Sequence, residues 1–378
     1  MPHVVWVTNI PTPYRNLRYR LFARHFPEVG LSIEVAYMAE SERGRHWRFG
    51  EGEIDHPHRV FSGAHLTARG TTLHVNPSLV RYVRRRRPEI LVVEGYSSPT
   101  LVATALLAPR DSVVVLSSES TLNDGGQLSG PVAAVKRAVI RRCDAYVGPG
   151  ERAFANIIHL DPSSRRKPFI RLPNIIDADV FRGRVDARRG ARAEIRQRLH
   201  VGPDEQLWII PARLELFKGL QLFLPLLKDL RGVRVVVAGE GSLRHSLEAM
   251  TAELGLPVAF AGQQSEAAMT DLYAAADLFV LPSLRDPSPL SAIEALAAGL
   301  PVLLSTRAGN VDEVVRDNGW RYDPDRLEAM GPLVRDIAAL PAETLSELGR
   351  RSRLVYDVDF DSQEWARRVS KELIALVG

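Results

Sequence analysis

The stretch Leu278–Val302 has the sequence LFVLPSLRDPSPLSAIEALAAGLPV and contains a short apolar strand, a proline-rich loop, an apolar helix and a second strand. Leu278–Leu281 is apolar at every position, which is typical of a parallel strand buried on both faces. Three prolines keep the loop extended until the helix begins near Leu290. This order of elements predicts a βαβ unit in a parallel sheet.

Apolar runs alternate with amphipathic segments on both sides of this stretch. In the second half they predict strands at Leu207–Pro211, Val233–Ala238, Val258–Ala261 and Trp320–Tyr322, and in the first half at Val4–Thr8, Leu31–Tyr37, Arg59–Phe61, Ile90–Glu94, Val113–Ser117, Ala145–Val147 and Phe169–Leu172. The segment Asn174–Gly190 has no apolar period and is predicted to be a linker. We therefore expect an α/β protein with two doubly wound Rossmann-like domains, residues 1–180 and 181–356. A final helical segment, residues 357–378, is expected to pack back on the first domain.

Composition limits the class of protein. The chain has 378 residues, of which 45% are hydrophobic and 25% charged, and these values exclude a wholly disordered or coiled-coil protein. The single cysteine, Cys143, cannot form an internal disulfide and fits a reducing cytoplasm. No apolar run approaches the ~18 residues that indicate a membrane-spanning helix. The net charge of +4 gives little support for nucleic-acid binding.

Charged residues follow two of the predicted strands, where open α/β sheets bind their ligands. Arg213 and Lys218 follow Leu207–Pro211 beside a predicted helix start, and two such cations suit a diphosphate; the alternative is that both are surface cations. Asp286 follows Leu278–Leu281, and Glu294 lies on the next helix. Their carboxylates can accept hydrogen bonds from sugar and ribose hydroxyls. Because an unpaired buried carboxylate is costly, an acid in this apolar helix needs a partner.

Other motifs carry weaker signals. Gly239-Glu240-Gly241 lacks the third glycine of a dinucleotide fingerprint, whose place Arg244 takes. Asp-x-Asp pairs such as Asp323/Asp325 are interpreted as caps and turns. The pair His56 and His58 is interpreted as a surface feature, so no metal site is expected.

The second half resembles the donor-binding domain of the family-4 retaining glycosyltransferases, which have the GT-B fold. Asp286 and Glu294 stand at the spacing of that family's two acidic residues and are followed by an Ala-rich stretch and Gly299-Leu300-Pro301-Val302. The resemblance runs from about Asp144 to the end and includes Arg213…Lys218-Gly219, Gly239-Glu240-Gly241, Leu172–Asp177, Arg192–Gly202 and Phe360–Trp365. In the first half, Asn9–Arg15 resembles a variant loop of bacterial polysaccharide and natural-product glycosyltransferases, and Ser118–Ser120 stands where many relatives carry a histidine.

The resemblance implies two domains that face each other across a cleft and a metal-independent, retaining transfer of a hexosyl or pentosyl group. The co-substrate is a nucleoside-diphosphate sugar, no other cofactor is needed, and the acceptor is a hydroxyl of a natural product, polysaccharide or lipid-linked glycan. The implied catalytic residues are Arg213, Lys218, Asp286 and Glu119. The implied donor-binding residues are Arg213, Lys218, Gly239, Gly241, Gln263, Asp286, Ser288, Pro289, Leu290 and Glu294. The acceptor side comprises Pro13, Arg15 and Glu119, although a structural salt bridge is an equal alternative for Arg15 and Glu119.

Several alternatives stay open at this point. They are a sugar-nucleotide epimerase or a phosphorylase of the same fold, and a non-catalytic partner of another glycosyltransferase. The basic clusters Arg84–Arg87 and Lys136–Arg142 add peripheral contact with the inner membrane face as an alternative to a plain cytoplasmic location.

Overall fold

The computed structural model describes residues 1–42, 54–68, 71–124 and 129–378. The chain folds into two units, the first formed by Met1–Ile175 together with Ser362–Gly378 and the second by Ile176–Asp361. The divisions thus follow residues 175 and 361, whereas the sequence pattern places them after 180 and 356. Each unit is built on a parallel sheet, which confirms the predicted α/β class.

The first unit contains a seven-stranded parallel sheet in the order β3-β2-β1-β6-β7-β8-β9. Strands β4 and β5 form a separate antiparallel hairpin, which the sequence did not predict because neither strand contains an apolar run. The strand bounds are β1 His3–Thr8, β2 Ser32–Tyr37, β3 His58–Val60, β4 Ala64–Ala68, β5 Thr71–Val75, β6 Ile90–Glu94, β7 Val113–Ser117, β8 Ala145–Gly148 and β9 Phe169–Arg171.

Helices cover both faces of this sheet, which explains why its central strands are apolar throughout. They are α1 Pro13–His25, α2 Pro77–Arg86, α3 Pro99–Leu106, α4 Gly130–Arg142 and α5 Glu151–Leu160. On one face Phe22 of α1 packs into a core with Trp6, and on the other Leu79 of α2 and Leu101 of α3 pack into a second core.

The second unit contains six parallel strands in the order β12-β11-β10-β13-β14-β15. The strands are β10 Gln206–Pro211, β11 Val233–Ala238, β12 Val258–Gly262, β13 Leu278–Leu281, β14 Val302–Ser305 and β15 Gly319–Tyr322. The helices are α6 Ala178–Arg189, α7 Arg192–Arg198, α8 Leu220–Phe223, α9 Arg244–Glu253, α10 Glu266–Ala275, α11 Leu290–Ala298, α12 Val311–Val314, α13 Leu327–Ala338 and α14 Ala342–Asp359.

The predicted linker Asn174–Gly190 is wrong for most of its length, because α6 occupies Ala178–Arg189. The side chain of Asp177 caps this helix by accepting a hydrogen bond from the backbone N–H of Val180 at 3.3 Å. The helix buries only Val185 completely, and arginines dominate its remaining surface. One buried residue is too sparse a stripe to be recognised as helical periodicity.

The last helix of the chain, α15 (Ser362–Ile374), lies in the first unit. Its residues Trp365, Val369 and Leu373 are buried in the same core as Phe22 of α1. The chain therefore returns to the first unit after completing the second.

Each sheet has one topological switch point, where the strand order reverses. In the first sheet it lies between β1 and β6, and in the second between β10 and β13. Open α/β sheets bind ligands at the carboxyl ends of strands beside such points. These two positions are therefore where functional side chains are expected.

Candidate active site

The loops that follow β10 and β13 are joined to each other at the switch point of the second unit. The carbonyl oxygen of Phe217 accepts hydrogen bonds from the backbone N–H groups of Leu284 at 2.8 Å and Arg285 at 3.1 Å. Gly219 has a φ of +74°, and a Cβ at this position would lie 2.2 Å from the carbonyl oxygen of Pro282. Only glycine fits this close approach, so the Lys218-Gly219 element is locked against the loop that carries Asp286.

Lys218 and Asp286, assigned separately to the diphosphate and the sugar, form one ion pair. Lys218 Nζ donates to Asp286 Oδ2 at 2.5 Å, and the two side chains are only 14% and 13% exposed. The backbone of Asp286 is fixed as well, because its carbonyl oxygen accepts a hydrogen bond from the N–H of Gly309 at 2.8 Å. The structure therefore holds a cation and a carboxylate side by side in defined positions.

Three cationic side chains lie near the ring of Phe217. The guanidinium carbon of Arg213 lies 5.0 Å from the ring centroid, that of Arg285 5.7 Å, and Lys218 Nζ 5.8 Å. Arg213 and Arg285 are exposed. The sequence singled out Arg213 and Lys218 but missed Arg285, since nothing in the spacing distinguishes it from the many surface arginines.

Glu294 finds its partner in Tyr273 of α10, a residue the sequence did not identify. The Tyr273 hydroxyl donates to Glu294 Oε2 at 2.8 Å. Burial raises the pKa of Glu294 above its ordinary range, although the hydrogen bond from Tyr273 opposes this shift. The partner of the buried Glu294 carboxylate is thus a neutral hydroxyl group. The carboxylate can still accept hydrogen bonds from further donors.

The loop before α11 brings Ser288 and Pro289 to the N-terminus of the helix, which begins at Leu290. Ser288 and Pro289 are buried, and no side chain caps this helix. The first-turn N–H groups of an uncapped helix carry partial positive charge and can face a polar ligand.

Gly239 and Gly241 support the loop that carries Arg213. Gly239 has a φ of +151°, and a Cβ on it would lie 2.0 Å from the carbonyl oxygen of Ala212. A Cβ on Gly241 would lie 2.4 Å from the carbonyl oxygen of Leu214. Gln263 is exposed and directly follows β12. The carbonyl oxygen of Gly262, the last residue of that strand, accepts a hydrogen bond from the N–H of Gly239 at 2.8 Å, so Gln263 begins next to the predicted residue Gly239.

The predicted acceptor-side residues lie in the first unit, at its own switch point. Pro13 is the exposed first residue of α1. Arg15 Nη1 donates to Thr8 Oγ1 at 3.1 Å and lies 3.3 Å from Glu94 Oε2. Glu119 is half-buried after β7 and makes no hydrogen bond or ion pair within the described ranges. Arg15 thus forms a salt bridge, with Glu94 as its partner.

Glu94 is the centre of this arrangement, and the sequence missed it. Its carboxylate accepts hydrogen bonds from Trp6 Nε1 at 3.0 Å, Thr8 Oγ1 at 2.5 Å and Tyr19 Oη at 2.9 Å. Burial would raise the pKa of Glu94, but the guanidinium groups of Arg15 and Arg18 and the donated hydrogen bonds hold it below its ordinary range. The available signal was an acid that ends the otherwise apolar strand Ile90–Glu94.

The described part of the chain contains neither a group of potential metal ligands nor a membrane-spanning helix. No three His, Cys, Asp or Glu residues among those described are arranged to hold a metal ion. Among the described helices, none combines the length and apolar character needed to cross a membrane.

Known proteins resemble this chain in sequence and in fold. Residues 191–355 match the family described as Glycosyl transferases group 1. Sulfoquinovosyl transferase SQD2 of Arabidopsis thaliana is 24% identical over 353 residues, which are 90% of this chain and 66% of the plant protein. Glycogen synthase of Mycobacterium tuberculosis is 28% identical over 257 residues, 66% of this chain and 58% of that protein. The chain therefore spans less than two thirds of the length of these curated relatives.

Among solved structures, HepE of Anabaena, crystallised in complex with UDP and glucose, has a TM-score of 0.72 with 15% identity. The match covers 99% of this chain and 100% of HepE. These findings establish the GT-B fold for the chain and a group 1 glycosyltransferase domain at residues 191–355.

Proposed function

We propose that this chain is a retaining glycosyltransferase that moves a sugar from a nucleoside-diphosphate donor to an acceptor hydroxyl. The observation that carries the proposal is the Lys218–Asp286 ion pair beside Arg213 at the switch point of the second unit. It supplies cations for a diphosphate and a carboxylate for sugar hydroxyls in one place. The group 1 family match and the UDP and glucose bound to HepE support a nucleotide-sugar donor.

In this proposal Arg213 and Lys218 bind the donor diphosphate. When the bond between the sugar and the diphosphate breaks, negative charge develops on the leaving phosphate oxygen. Preorganised cations at that oxygen stabilise the transition state more than the ground state. The Lys218 ammonium has three donors, so it can contact a phosphate oxygen while it still donates to Asp286.

Glu294 binds the ribose hydroxyls in its carboxylate form. The single hydrogen bond from Tyr273 leaves acceptor positions for a ribose diol. Asp286 and the N–H groups around Ser288, Pro289 and Leu290 contact the donor sugar. Gly239 and Gly241 hold the Arg213 loop in place, and Gln263 contacts the donor from the end of β12, next to Gly239.

The transfer itself needs no protein nucleophile and no metal in this proposal. The acceptor oxygen bonds to the sugar carbon on the face from which the diphosphate leaves, and the leaving phosphate takes the acceptor's proton. The anomeric configuration is retained as a result. Glu119 and Arg15 contribute from the acceptor side.

The decisive experiment incubates the purified chain with a panel of nucleoside-diphosphate sugars and candidate acceptors and measures release of the nucleoside diphosphate. We expect release with one donor, a product of unchanged anomeric configuration by NMR, and the same rate in EDTA. Arg213→Ala and Lys218→Ala should each reduce turnover by about 100-fold or more, as the loss of charged transition-state contacts does. Arg335→Ala, on helix α13 of the same unit, is the matched control.

The same panel separates the alternatives. An epimerase converts the nucleotide sugar without release of diphosphate, and a phosphorylase consumes inorganic phosphate. A non-catalytic partner protein releases nothing and keeps its rate of zero in every variant. An inverted product or a requirement for a divalent cation would contradict the retaining, metal-independent reaction.

We also propose that the first unit contacts an anionic membrane surface, at the cytoplasmic face, to reach a lipid-linked acceptor. The neighbouring helices α2, α3 and α4 contain no acidic residue, and their basic residues are Arg81, Arg84, Arg85, Arg86, Lys136, Arg137, Arg141 and Arg142. Leu106, Val132 and Val135 are exposed on the same helices. Basic residues with exposed apolar side chains suit anionic lipid headgroups.

Flotation with phosphatidylglycerol vesicles tests this contact. We expect binding at low salt that is lost at high salt, absence of binding to phosphatidylcholine vesicles, and loss of binding in Arg84→Ala/Arg85→Ala. The double variant Arg350→Ala/Arg351→Ala removes the same charge from the second unit and should bind like the original chain. Equal binding by all three proteins, or none by any, would refute the contact.

A further inference from the structure

The switch point of the first unit contains a cluster of buried polar groups that the donor chemistry does not use. It lies at the carboxyl ends of β1 and β6, where Thr8 and Glu94 end the two strands. Arg15 and Arg18 extend from α1 to the Glu94 carboxylate, at 3.3 Å and 3.5 Å. This position in an open α/β sheet is one at which ligands bind.

Charge within this cluster is not balanced. Two guanidinium groups contact one carboxylate, so the contacting groups carry a net charge of +1. Arg18 Nη2 is also held by Asn174 Oδ1 at 3.0 Å, and its side chain is almost fully buried. Glu119 is the next acid whose charge acts on Arg15, but it makes no ion pair with it. A buried excess of positive charge is costly unless an anion joins it.

Arg15 has unused donors in this place. Its contacts to Thr8 and Glu94 both use Nη1, and its buried Nε has no hydrogen-bond partner among the described residues. The side chain as a whole is 21% exposed. The Nε and Nη2 edge of an arginine is the fork that binds a carboxylate or phosphate with two parallel hydrogen bonds.

Thr12 provides a second, independent sign of a ligand site. It precedes the first residue of α1 with an extended backbone, as a capping residue does, yet its side chain caps nothing. It is 3% exposed, and its Oγ1 has no partner in the described part of the chain. The first N–H to bond within the helix is that of Asn16, to the carbonyl oxygen of Thr12 at 2.8 Å. The N–H groups of Tyr14 and Arg15 therefore precede the first intrahelical bond and face outward.

We propose that Arg15, Thr12 and the N-terminus of α1 bind an anionic group, a phosphate or a carboxylate, that is part of the acceptor substrate. Glu94 is a positioning residue, since it orients Arg15 from behind and leaves the fork open. This inference rests on the proposed function, in which the donor diphosphate occupies the second unit. It narrows the acceptor from any hydroxyl compound to a sugar phosphate, a uronic acid or a phosphate-linked lipid.

The first test measures binding of inorganic phosphate by calorimetry, with the donor site removed by Arg213→Ala/Lys218→Ala in every protein. Within this background Arg15→Ala should weaken phosphate binding about 10- to 100-fold, as loss of a charged bidentate contact does. Arg15→Lys should recover part of the affinity, because it keeps the charge without the fork. Arg24→Ala, an exposed arginine on the same helix, is the matched control and should bind normally. Unchanged binding in Arg15→Ala, or no binding before that substitution, would overturn the site.

The second test compares sugar phosphates and uronic acids with their neutral parent sugars as acceptors. We expect the anionic acceptors to be preferred, and Arg15→Ala to raise their KM about 10- to 100-fold while the donor KM stays within about twofold. A raised donor KM would mean that Arg15 binds the donor phosphate, and preference for the neutral sugars would mean that no acceptor anion is bound; both overturn the proposal. Absence of any diphosphate release would refute the proposed function alone, because the phosphate-binding result does not depend on turnover.

Discussion

Asp286→Asn should have opposite effects on nucleoside-diphosphate binding and on sugar transfer. Asp286 neutralises Lys218, whose Nζ lies 2.5 Å from Asp286 Oδ2. A phosphate oxygen at about 2.8 Å from the same Nζ, at a tetrahedral angle to Asp286, would lie about 4.3 Å from the carboxylate oxygen. Two unit negative charges at that distance repel by about 1 kcal/mol in a water-like medium and about 4 kcal/mol near a protein surface.

Asparagine removes this repulsion and keeps a carbonyl oxygen that accepts from Lys218. We therefore expect the nucleoside diphosphate to bind at least about fivefold more tightly, corresponding to the lower limit of about 1 kcal/mol. Transfer should nevertheless fall about 10- to 100-fold, because the charged hydrogen bond to the donor sugar is lost. Calorimetry with the diphosphate and a turnover assay on the same protein measure the two effects.

Glu343→Gln is the matched control, since it removes one negative charge from an exposed position in the first turn of α14 in the same unit. It should change neither quantity. Unchanged or weaker diphosphate binding by a folded Asp286→Asn protein would refute the electrostatic reasoning, because a merely structural ion pair loosens the loops on removal. Unchanged turnover would refute the contact between Asp286 and the sugar.

Three further outcomes are expected. Burial raises the pKa of Glu294, so the affinity for the nucleoside diphosphate should fall as the pH drops through this raised pKa. Calorimetry at a series of pH values should show this fall. Glu294→Gln should make the affinity independent of pH in that range, and Tyr273→Phe should move the midpoint of the fall to higher pH, because the hydrogen bond from Tyr273 lowers the pKa. Glu94→Gln should destabilise the first unit by about 3 kcal/mol in urea unfolding, because it leaves two buried guanidinium groups without their counter-charge. Since the pKa of Glu94 is lowered in the folded protein, its stabilising contribution is present above the ordinary pKa and lost as the pH falls through the lowered pKa. A difference in stability between the two proteins that does not change with pH would contradict this. Gly219→Ala should cost about 1–3 kcal/mol of stability and abolish nucleoside-diphosphate binding, because its Cβ meets the Pro282 carbonyl oxygen; normal binding would contradict the locked loop.

The sequence predicted those parts of the fold that local patterns determine. Strand β13 has the predicted bounds Leu278–Leu281, and β10 begins one residue before the predicted Leu207. Short runs that are apolar at every position and flanked by turn residues favour buried parallel strands, because a helix needs a longer segment. Helix α6 was missed because its packing relies on one buried valine, and its arginines are matched to acids far along the chain, such as Asp271, that no local pattern reveals.

The candidate site was predictable only one residue at a time. Arg213, Lys218, Asp286 and Glu294 were found because each follows a strand or occupies a helix at a family spacing. Their partners were not predictable, because Lys218 and Asp286 are 68 residues apart and Tyr273 and Glu294 21 residues apart. Contacts of this kind depend on which strands are neighbours in the sheet. The spacing of residues along the sequence does not reveal the order of the strands.

The two switch points share an ion pair between a carboxylate and a cation but differ in the arginines near it, and this difference has a measurable consequence. In the second unit Asp286 fixes the largely buried Lys218, and the exposed Arg213 and Arg285 lie nearby. In the first unit Glu94 contacts Arg15 and Arg18, which are themselves largely buried. Salt screens exposed charges over about 10 Å at 0.1 M and buried charges much less. Raising the salt concentration should therefore weaken nucleoside-diphosphate binding more in the original chain than in Arg213→Ala. Parallel salt profiles for these two proteins would mean that the exposed arginine does not attract the donor.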